Sequence, residues 1–217
     1  MTILVGLIGR RGAVIAADSR RFSSTGEIET DSATKVFKQD SFVYGISGQL
    51  APGGVELSDI IARALRTPGI DSIEAAANAA SSAIVTQFTT VAEDQVSFKY
   101  RDVGLILIGT DHGIVRGILL RIAPDAEKQK LVESRAAPSG VGDFMASGDD
   151  SATRAVKDRF ASSQESVAEW KLSEMSSYAE HLILCGIERA GPHPIFPDRI
   201  SCGGRPKVLR LSKNAGG

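Results

Sequence analysis

The sequence is poor in the residue types that mark several classes of protein. Only two cysteines, Cys185 and Cys202, and three histidines occur among 217 residues, too few and too scattered for a disulfide framework or a zinc site. The formal net charge is −1, which gives no electrostatic reason for binding a nucleic acid or an anionic membrane. No apolar run reaches the roughly 18 residues that a membrane span needs. We therefore expect no metal, no cofactor, no nucleic acid partner and no membrane partner.

The apolar N-terminus does not have the order of a secretion signal. The run "TILVGLIG" at 2–9 is followed by Arg10 and Arg11 and then by another apolar run, whereas a signal peptide carries its charges first. The chain is 42% hydrophobic and 24% charged, an ordinary globular composition with the length for one sizeable core. We therefore expect a cytoplasmic protein that forms a single domain over residues 1–217, with a frayed tail at 212–217.

Strand patterns occupy the first 48 residues. Apolar runs at 2–9 and 13–18 flank a short turn bounded by glycines, which predicts a β-hairpin. This hairpin would place Thr2 opposite Asp18 or Ser19. A polar stretch at 19–34 predicts a loop or an irregular edge, and the runs at 35–38 and 41–48 predict a second hairpin, which begins at Lys35.

After residue 53 the apolar period becomes helical. It predicts a helix carrying Leu57 to Leu65 and a second helix that is N-capped by Asp71 and reaches Val91. Strands at 103–109, 114–122 and 130–136, a helix after residue 148, a longer helix that carries Val167 and ends near 191, and a strand at 207–211 follow. Two strand blocks, each followed by a helix pair, cannot form a doubly wound fold. The order predicts an α+β chain in which two stacked sheets lie between two helix layers, a four-layer αββα sandwich.

Seven features of the sequence occur together in a characteristic order: Thr2, "VGL" at 5–7, "GAVIAAD" at 12–18, Lys35, "ISG" at 46–48, "ASGDDSATRAV" at 146–156 and "DRISCGG" at 198–204. In this order they resemble the catalytic β subunits of proteasomes and the HslV peptidase, which are N-terminal-nucleophile (Ntn) hydrolases with the αββα fold. The chain departs from their pattern at Ala146, where a glycine is usual, and at Cys202, which interrupts a Ser-Gly-Gly sequence.

The resemblance implies a threonine endopeptidase that acts through its first residue. A threonine hydroxyl is a poor nucleophile and needs a nearby base. Once Met1 is removed, the α-amine of Thr2, with a reference pKa of roughly 7.7–8.0, would be that base. Lys35, held by Asp18, would supply positive charge, and the N–H of Gly48 would bind the oxyanion. The resemblance also implies that Ser147, Asp198 and Ser201 lie around the Thr2 amine.

The resemblance also implies a substrate pocket and an oligomeric setting. Peptides or unfolded proteins would be the substrates of a ring-like homo-oligomer, with an unfoldase as a further partner. Two alternatives stay open: a catalytically silent proteasome-like subunit that contributes only to assembly, and an Ntn transpeptidase or amidase. The pocket for the residue before the scissile bond would be lined by Arg21, Ala33, Phe37, Ile46 and Leu50.

Each candidate residue also fits an ordinary structural role. Thr2 is a common strand residue, Asp18 a common turn residue and Lys35 a charge suited to a sheet edge. Ser147 and Asp149 fit helix caps. The catalytic interpretation depends on the spacings that bring Thr2, Asp18, Lys35 and Gly48 together at one sheet edge.

Overall fold

A computed structural model describes residues 2–23, 26–92, 101–125, 127–163, 166–193 and 195–213. Within these ranges the chain is an α+β protein with four α-helices and antiparallel sheets. The strands are β1 (Ile3–Gly9), β2 (Gly12–Ala17), β3 (Arg21–Phe22), β4 (Ile28–Thr30), β5 (Val36–Gln39), β6 (Phe42–Gly48), β7 (Val103–Asp111), β8 (Ile114–Asp125), β9 (Lys130–Arg135), β10 (Phe144–Gly148) and β11 (Lys207–Ser212). The helices are α1 (Leu57–Leu65), α2 (Ile73–Thr90), α3 (Asp150–Ser162) and α4 (Leu172–Glu188).

The predicted N-terminal hairpin forms the centre of a four-stranded sheet with the order β10-β1-β2-β11. Leu4 pairs with Ala17 and Gly9 with Gly12, so the next position along the ladder puts Ile3 beside Asp18. All residues of β1 and β2 are buried, because both faces of this sheet are covered. The start of β1 and the ends of β2 and β10 therefore meet at one edge of the sheet.

The second predicted hairpin, β5 and β6, lies at one edge of a five-stranded antiparallel sheet with the order β5-β6-β7-β8-β9. Val36 pairs with Gly45, and the turn between the strands contains Asp40 with a φ of 51°, a conformation that Asp adopts more readily than most residues. Gly48, at the end of β6, pairs with Val103 of β7. The five-stranded sheet therefore also has a strand end, at Gly48, which is one of the candidate site residues.

Three clusters of buried apolar side chains hold the helices and sheets together. Helices α1 and α2 pack on one face of the five-stranded sheet around Phe88 and Leu107. Helices α3 and α4 pack on the four-stranded sheet around Val5 and Leu182. The third cluster, which includes Ile15 and Ile106, joins the two sheets face to face. Among the described residues, no helix combines the length and the apolar character needed to cross a bilayer.

Four local predictions were wrong. Residues 144–148 form β10, which was not predicted because a five-residue strand ending in Ala-Ser-Gly has almost no apolar pattern. Ser72, not Asp71, caps α2, since its side chain accepts the N–H of Ala75. Val167 lies in a 3-10 turn before α4, and α4 ends at Glu188 rather than near 191.

The C-terminal tail is more ordered than expected at its first two positions. β11 runs to Ser212, which pairs with Gly12, and the N–H of Lys213 donates to the carbonyl of Arg11 at 3.1 Å. Two backbone pairings therefore continue past the predicted end of the strand. The remainder of the predicted tail, 214–217, lies outside the described residues.

Two leucines of α4 test the assignment of its buried face. Leu182 is 0% exposed, whereas Leu184 is 47% exposed. We expect Leu182→Ala to lower the free energy of unfolding by about 2–5 kcal/mol, because it removes buried methyl groups and leaves a cavity. Leu184→Ala should change it by about 0.5 kcal/mol or less. Urea denaturation followed by circular dichroism measures both, and equal losses would contradict the assigned face.

Candidate active site

A buried ion pair lies where the two sheets meet at the strand ends. The Nζ of Lys35 is 3.0 Å from Oδ1 of Asp18, and the two side chains are 1% and 0% exposed. Lys35 comes directly before β5, and its carbonyl accepts the N–H of Ile46 on β6 at 3.0 Å. Asp18 comes directly after β2. The pair therefore joins the five-stranded sheet to the four-stranded sheet, and its two members are those that the family resemblance implied would contact each other.

The Thr2–Ile3 peptide unit is held at both of its polar ends. The N–H of Ile3 donates to Oδ1 of Asp18 at 3.0 Å, and the carbonyl of Thr2 accepts the N–H of Asp149 at 3.0 Å. Thr2 itself is 1% exposed. Thr2 therefore directly precedes Ile3, whose N–H the buried carboxylate of Asp18 accepts. Met1, whose removal the expectation requires, lies outside the described residues.

Gly48 turns an N–H toward the Lys35 side of β6. The N–H groups of successive strand residues point to opposite neighbours. The N–H of Ile46 points to β5 and that of Gln49 points to Asp102 beside β7, so the N–H of Gly48 points toward β5. If the pairing of Val36 with Gly45 is continued along β6, Gly48 falls opposite Ala33, two residues before Lys35. This register puts the N–H of Gly48 on the β5 side of its strand.

Two glycines at this edge occupy conformations that other residues rarely adopt. Gly48 has a φ of 87° and Gly148, at the end of β10, a φ of 131°. A Cβ on Gly48 would lie 2.0 Å from the carbonyl oxygen of Asp102, and a Cβ on Gly148 would lie 1.7 Å from that of Thr2. Only glycine fits either position. Gly148 therefore lets the backbone approach the start of β1 closely, whereas Gly48 lets it approach Asp102, just before β7.

Ser147 lies on β10 and bridges the two sheets. It pairs with Leu4, and its Oγ is 3.1 Å from the Oγ of Ser47 on β6. A cavity of about 390 Å³ opens beside this hydroxyl pair and is lined by Gly48 and Gly148 among other residues. This volume is within the range of small-ligand pockets, roughly 300–1,000 Å³. Ser147 is therefore close in the fold to the expected site.

The structure does not bring Asp198 to Ser201. Asp198 is exposed on a turn, whereas Ser201 is 0% exposed and its Oγ donates to Oδ2 of Asp149 at 2.8 Å. The carboxylate that Ser201 contacts thus comes from the start of α3 and not from residue 198. The spacing of the Asp-x-x-Ser sequence does not show this, because the Pro-rich loop before Ser201 turns Asp198 outward. Asp149 could be predicted only as a helix cap.

The residues expected to line a substrate pocket divide into an apolar group and a charged one. Phe37, Ile46 and Leu50 belong to, or pack against, one apolar cluster. Arg21 makes ion pairs with Glu56 at 2.7 Å and with Glu29 at 3.1 Å. The fifth residue, Ala33, is half-buried, and its N–H donates to the carbonyl of Ser19 at 2.9 Å. The positive charge of Arg21 is therefore balanced by two carboxylates.

The segment 201–203 packs against the ion pair. The N–H of Gly203 donates to Oδ2 of Asp18 at 3.0 Å. Cys202 is 1% exposed, and burial, together with the nearby negative charge of Asp18, raises its pKa to about 12. A thiol with this pKa is protonated at neutral pH and is therefore a poor nucleophile. Cys202 is therefore poorly suited to act as a nucleophile at this edge.

His193 anchors the loop that precedes this segment. Its Nδ1 accepts the N–H groups of Ile195 and Phe196 at 3.2 and 3.3 Å, which requires that Nδ1 carry no proton. Its ring lies 4.7 Å from that of Phe22 and 5.1 Å from that of Phe196 between centroids. Burial lowers the pKa of His193 from its usual 6.5 to about 4. The loop is thus held by a neutral imidazole.

Substitution of Asp18 tests the buried ion pair. Asp18→Ala leaves the ammonium of Lys35 buried without its counter-charge, and we expect a loss of about 3–5 kcal/mol in the free energy of unfolding. The matched control is Glu169→Ala at the exposed pair of Arg10 and Glu169, whose side chains are both 70% exposed. That loss should be about 1 kcal/mol or less. Chemical denaturation at pH 7 gives both values, and similar losses would show that the inner pair is not desolvated.

The dependence of stability on pH tests the environment of His193. Since its pKa is lower in the folded than in the unfolded state, its contribution to stability is full above pH 6.5 and is lost as the pH falls toward about 4. The unfolding free energy of the wild type should therefore fall, relative to His193→Gln, between pH 7 and pH 4. His112→Gln is the control, because the His112 side chain is 87% exposed. Parallel curves for wild type and His193→Gln would contradict the prediction.

Comparison with known proteins does not assign this site. No family model matches the chain, and a search of curated proteins finds no significant relative. Within the described residues, no group of three or more His, Cys, Asp or Glu side chains is arranged to hold a metal ion. The arrangement offers a buried hydroxyl residue at position 2, a buried acid–lysine pair and a backbone N–H of Gly48 on the β5 side of its strand.

Proposed function

We propose that this chain is a threonine endopeptidase of the Ntn type, with Thr2 as its nucleophile after removal of Met1. The main observation in support is the buried pair of Lys35 and Asp18, whose carboxylate also binds the N–H of Ile3. A buried ion pair is often no more stabilising than apolar residues of the same volume. Because the pair binds Ile3, the residue after Thr2, we assign it a role in catalysis as well as in stability.

The packing of the helices and sheets supports the four-layer αββα sandwich as the finer description of the fold. The two sheets share an apolar cluster, and each has its own pair of helices on the opposite face. In this arrangement the start of β1 and the end of β6 come from different sheets and meet at one edge. The proposed nucleophile and the proposed oxyanion donor therefore lie on facing layers.

In the acylation step, the Oγ of Thr2 attacks the carbonyl carbon of a peptide bond, and its proton passes to the neutral α-amine of the same residue. The charge of Lys35 favours the neutral amine and the developing alkoxide. The carbonyl oxygen becomes an oxyanion, to which Gly48 donates its N–H. Such a donor is worth roughly 3–4 kcal/mol of transition-state stabilisation. The intermediate then expels the amine of the leaving peptide, which takes the proton from the Thr2 ammonium.

In the deacylation step, the Thr2 amine takes a proton from a water molecule as that water attacks the ester on Thr2 Oγ. The second tetrahedral intermediate uses the same N–H of Gly48. Its collapse breaks the ester bond and returns the proton to Oγ, which releases a carboxylic acid and restores the free threonine. One amine thus acts as the base in both steps, in agreement with microscopic reversibility.

The expected substrate side chain before the scissile bond is apolar. Phe37, Ile46 and Leu50 would supply the apolar wall, and Arg21 does not add a net positive charge because Glu56 and Glu29 neutralise it. Ring-like assembly, an unfoldase partner and unfolded-protein substrates remain predictions from the resemblance, and a cytoplasmic location remains a prediction from the N-terminal sequence.

A peptide epoxyketone tests the proposal directly. Its ketone reacts with a hydroxyl and its epoxide with an adjacent amine, so a stable adduct needs both groups on one terminal residue. We expect an intact mass without Met1 and one adduct per chain, mapped to Thr2 by tandem mass spectrometry. Thr2→Ala should form no adduct and hydrolyse no peptide, with an unchanged circular dichroism spectrum. Thr86→Ala, at an exposed position of α2, should react as the wild type does.

Other outcomes of this experiment distinguish the alternatives. Retention of Met1 in protein made with an active methionine aminopeptidase, with no adduct, would contradict the proposal and favour a structural subunit. Peptide turnover by Thr2→Ala at the wild-type rate would exclude Thr2 as the nucleophile. Transfer of the acyl group to an added amine in preference to water would replace the endopeptidase by a transpeptidase.

A further inference from the structure

The geometry points to Asp149 as a positioning residue that, together with Ser201, fixes the orientation of Thr2 for attack. This inference rests on the proposed function, because it concerns the same nucleophile. It adds a second carboxylate to the site, on the opposite side of Thr2 from the pair of Asp18 and Lys35. Asp149 is 3% exposed, so its carboxylate interacts with other groups of the protein and not with bulk solvent.

The side chain and the backbone N–H of Asp149 make hydrogen bonds with four residues, three of which lie outside α3. Its Oδ1 accepts the N–H of Ala152 at 2.9 Å, which caps α3, and the N–H of Gly191 at 3.3 Å. Its Oδ2 accepts the hydroxyl of Ser201 at 2.8 Å, and its backbone N–H donates to the carbonyl of Thr2 at 3.0 Å. A helix cap alone would account for one of the carboxylate oxygens. The second oxygen is directed at Ser201, a residue 52 positions away in sequence.

The two aspartates bind opposite ends of one peptide unit. Asp149 holds the carbonyl of Thr2, and Asp18 holds the N–H of Ile3. These two groups belong to the same planar amide, so its orientation is fixed from both sides. That plane in turn sets where the Cα of Thr2, and with it the amine and the hydroxyl, can lie.

The segment 201–203 connects the two aspartates. Ser201 donates to Asp149, and two residues later the N–H of Gly203 donates to Oδ2 of Asp18 at 3.0 Å. A shift of Ser201 is therefore transmitted to the carboxylate that holds Lys35. Asp149 thus acts on the site along two paths, through its own N–H to Thr2 and through Ser201 to Asp18.

The chemistry of the contact requires a carboxylate at residue 149. Ser201 donates its only hydroxyl proton to Oδ2, and an ionised carboxylate is an acceptor at both oxygens. An asparagine keeps one acceptor oxygen for the cap of α3 but presents an NH₂ to Ser201, which reverses the contact. Because an error of about 1 Å in the position of a reacting group can lower the rate about 100-fold, this reversal should affect the rate of attack more than the binding of a ligand.

The test measures the inactivation kinetics of Asp149→Asn with a peptide epoxyketone. We expect the limiting rate constant of adduct formation on Thr2 to fall by about ten-fold or more, with the apparent dissociation constant of the inhibitor unchanged within about two-fold. The matched control is Asp150→Asn, which removes the same charge from the exposed neighbouring residue and should react as the wild type does. If Asp149 only capped α3, Asp149→Asn would lower the melting temperature, but it would not lower the rate constant while leaving the dissociation constant unchanged.

Two results would overturn the inference. One is a wild-type rate of adduct formation in Asp149→Asn, and the other is an equal fall in Asp150→Asn. If Asp149→Asn does not fold, Ser201→Ala, which removes only the donor, decides the question: a normal rate in that variant also overturns it. Absence of any adduct on Thr2 in the wild type is a different result, since it contradicts the proposed function itself.

Discussion

The Asp18 carboxylate is the group on which the site depends. It accepts the ammonium of Lys35, the N–H of Ile3 and the N–H of Gly203, each at 3.0 Å, and the N–H of Arg20 at 3.4 Å. These donors come from the start of β1, the residue before β5, the end of the first hairpin and the segment before β11. A fully buried carboxylate is tolerated because every neighbour donates to it. The same bonds that compensate for its burial bring Ile3, Lys35 and Gly203, which are distant from Asp18 in sequence, to one place.

Much of this arrangement could be predicted from the sequence because it is built from local hairpins. The turn at residues 10–11 fixes the register of β1 and β2, and that register alone brings Asp18 to the first residues of the chain. Lys35 was predicted from the second hairpin, yet its distance from Asp18 depends on how the two sheets stack. No local pattern determines that distance. The resemblance to the proteasome family supplied it, and the structure gives it as 3.0 Å.

The part that the sequence could not predict depends on long-range pairing. β10 has little apolar pattern, and it forms because β1 offers an unpaired edge far away in sequence. Once it forms, Gly148 brings Asp149 to the carbonyl of Thr2. Asp198 was assigned by the resemblance to the Asp-x-x-Ser-Gly-Gly pattern of the family, but the contact made by a loop residue depends on the path of the whole loop. The hydroxyl of Ser201 instead donates to Asp149 at the start of α3. No spacing in the sequence indicates this contact.

An enzyme and a structural subunit with this fold would differ in the chemical state of one atom, the nitrogen of Thr2, and not in the rest of the structure. The ion pair, the two glycines with positive φ and the clamp on the Thr2–Ile3 peptide unit are all present before any reaction, and each also stabilises the chain end. In a purely structural subunit, however, apolar residues could replace Lys35 and Asp18 at little cost or with a gain in stability. In the proposed peptidase, the positive charge of Lys35 would lie near a terminal amine and would favour the unprotonated form that can accept a proton. Whether this edge performs chemistry therefore turns on whether the nitrogen of Thr2 is a free amine or part of a peptide bond to Met1.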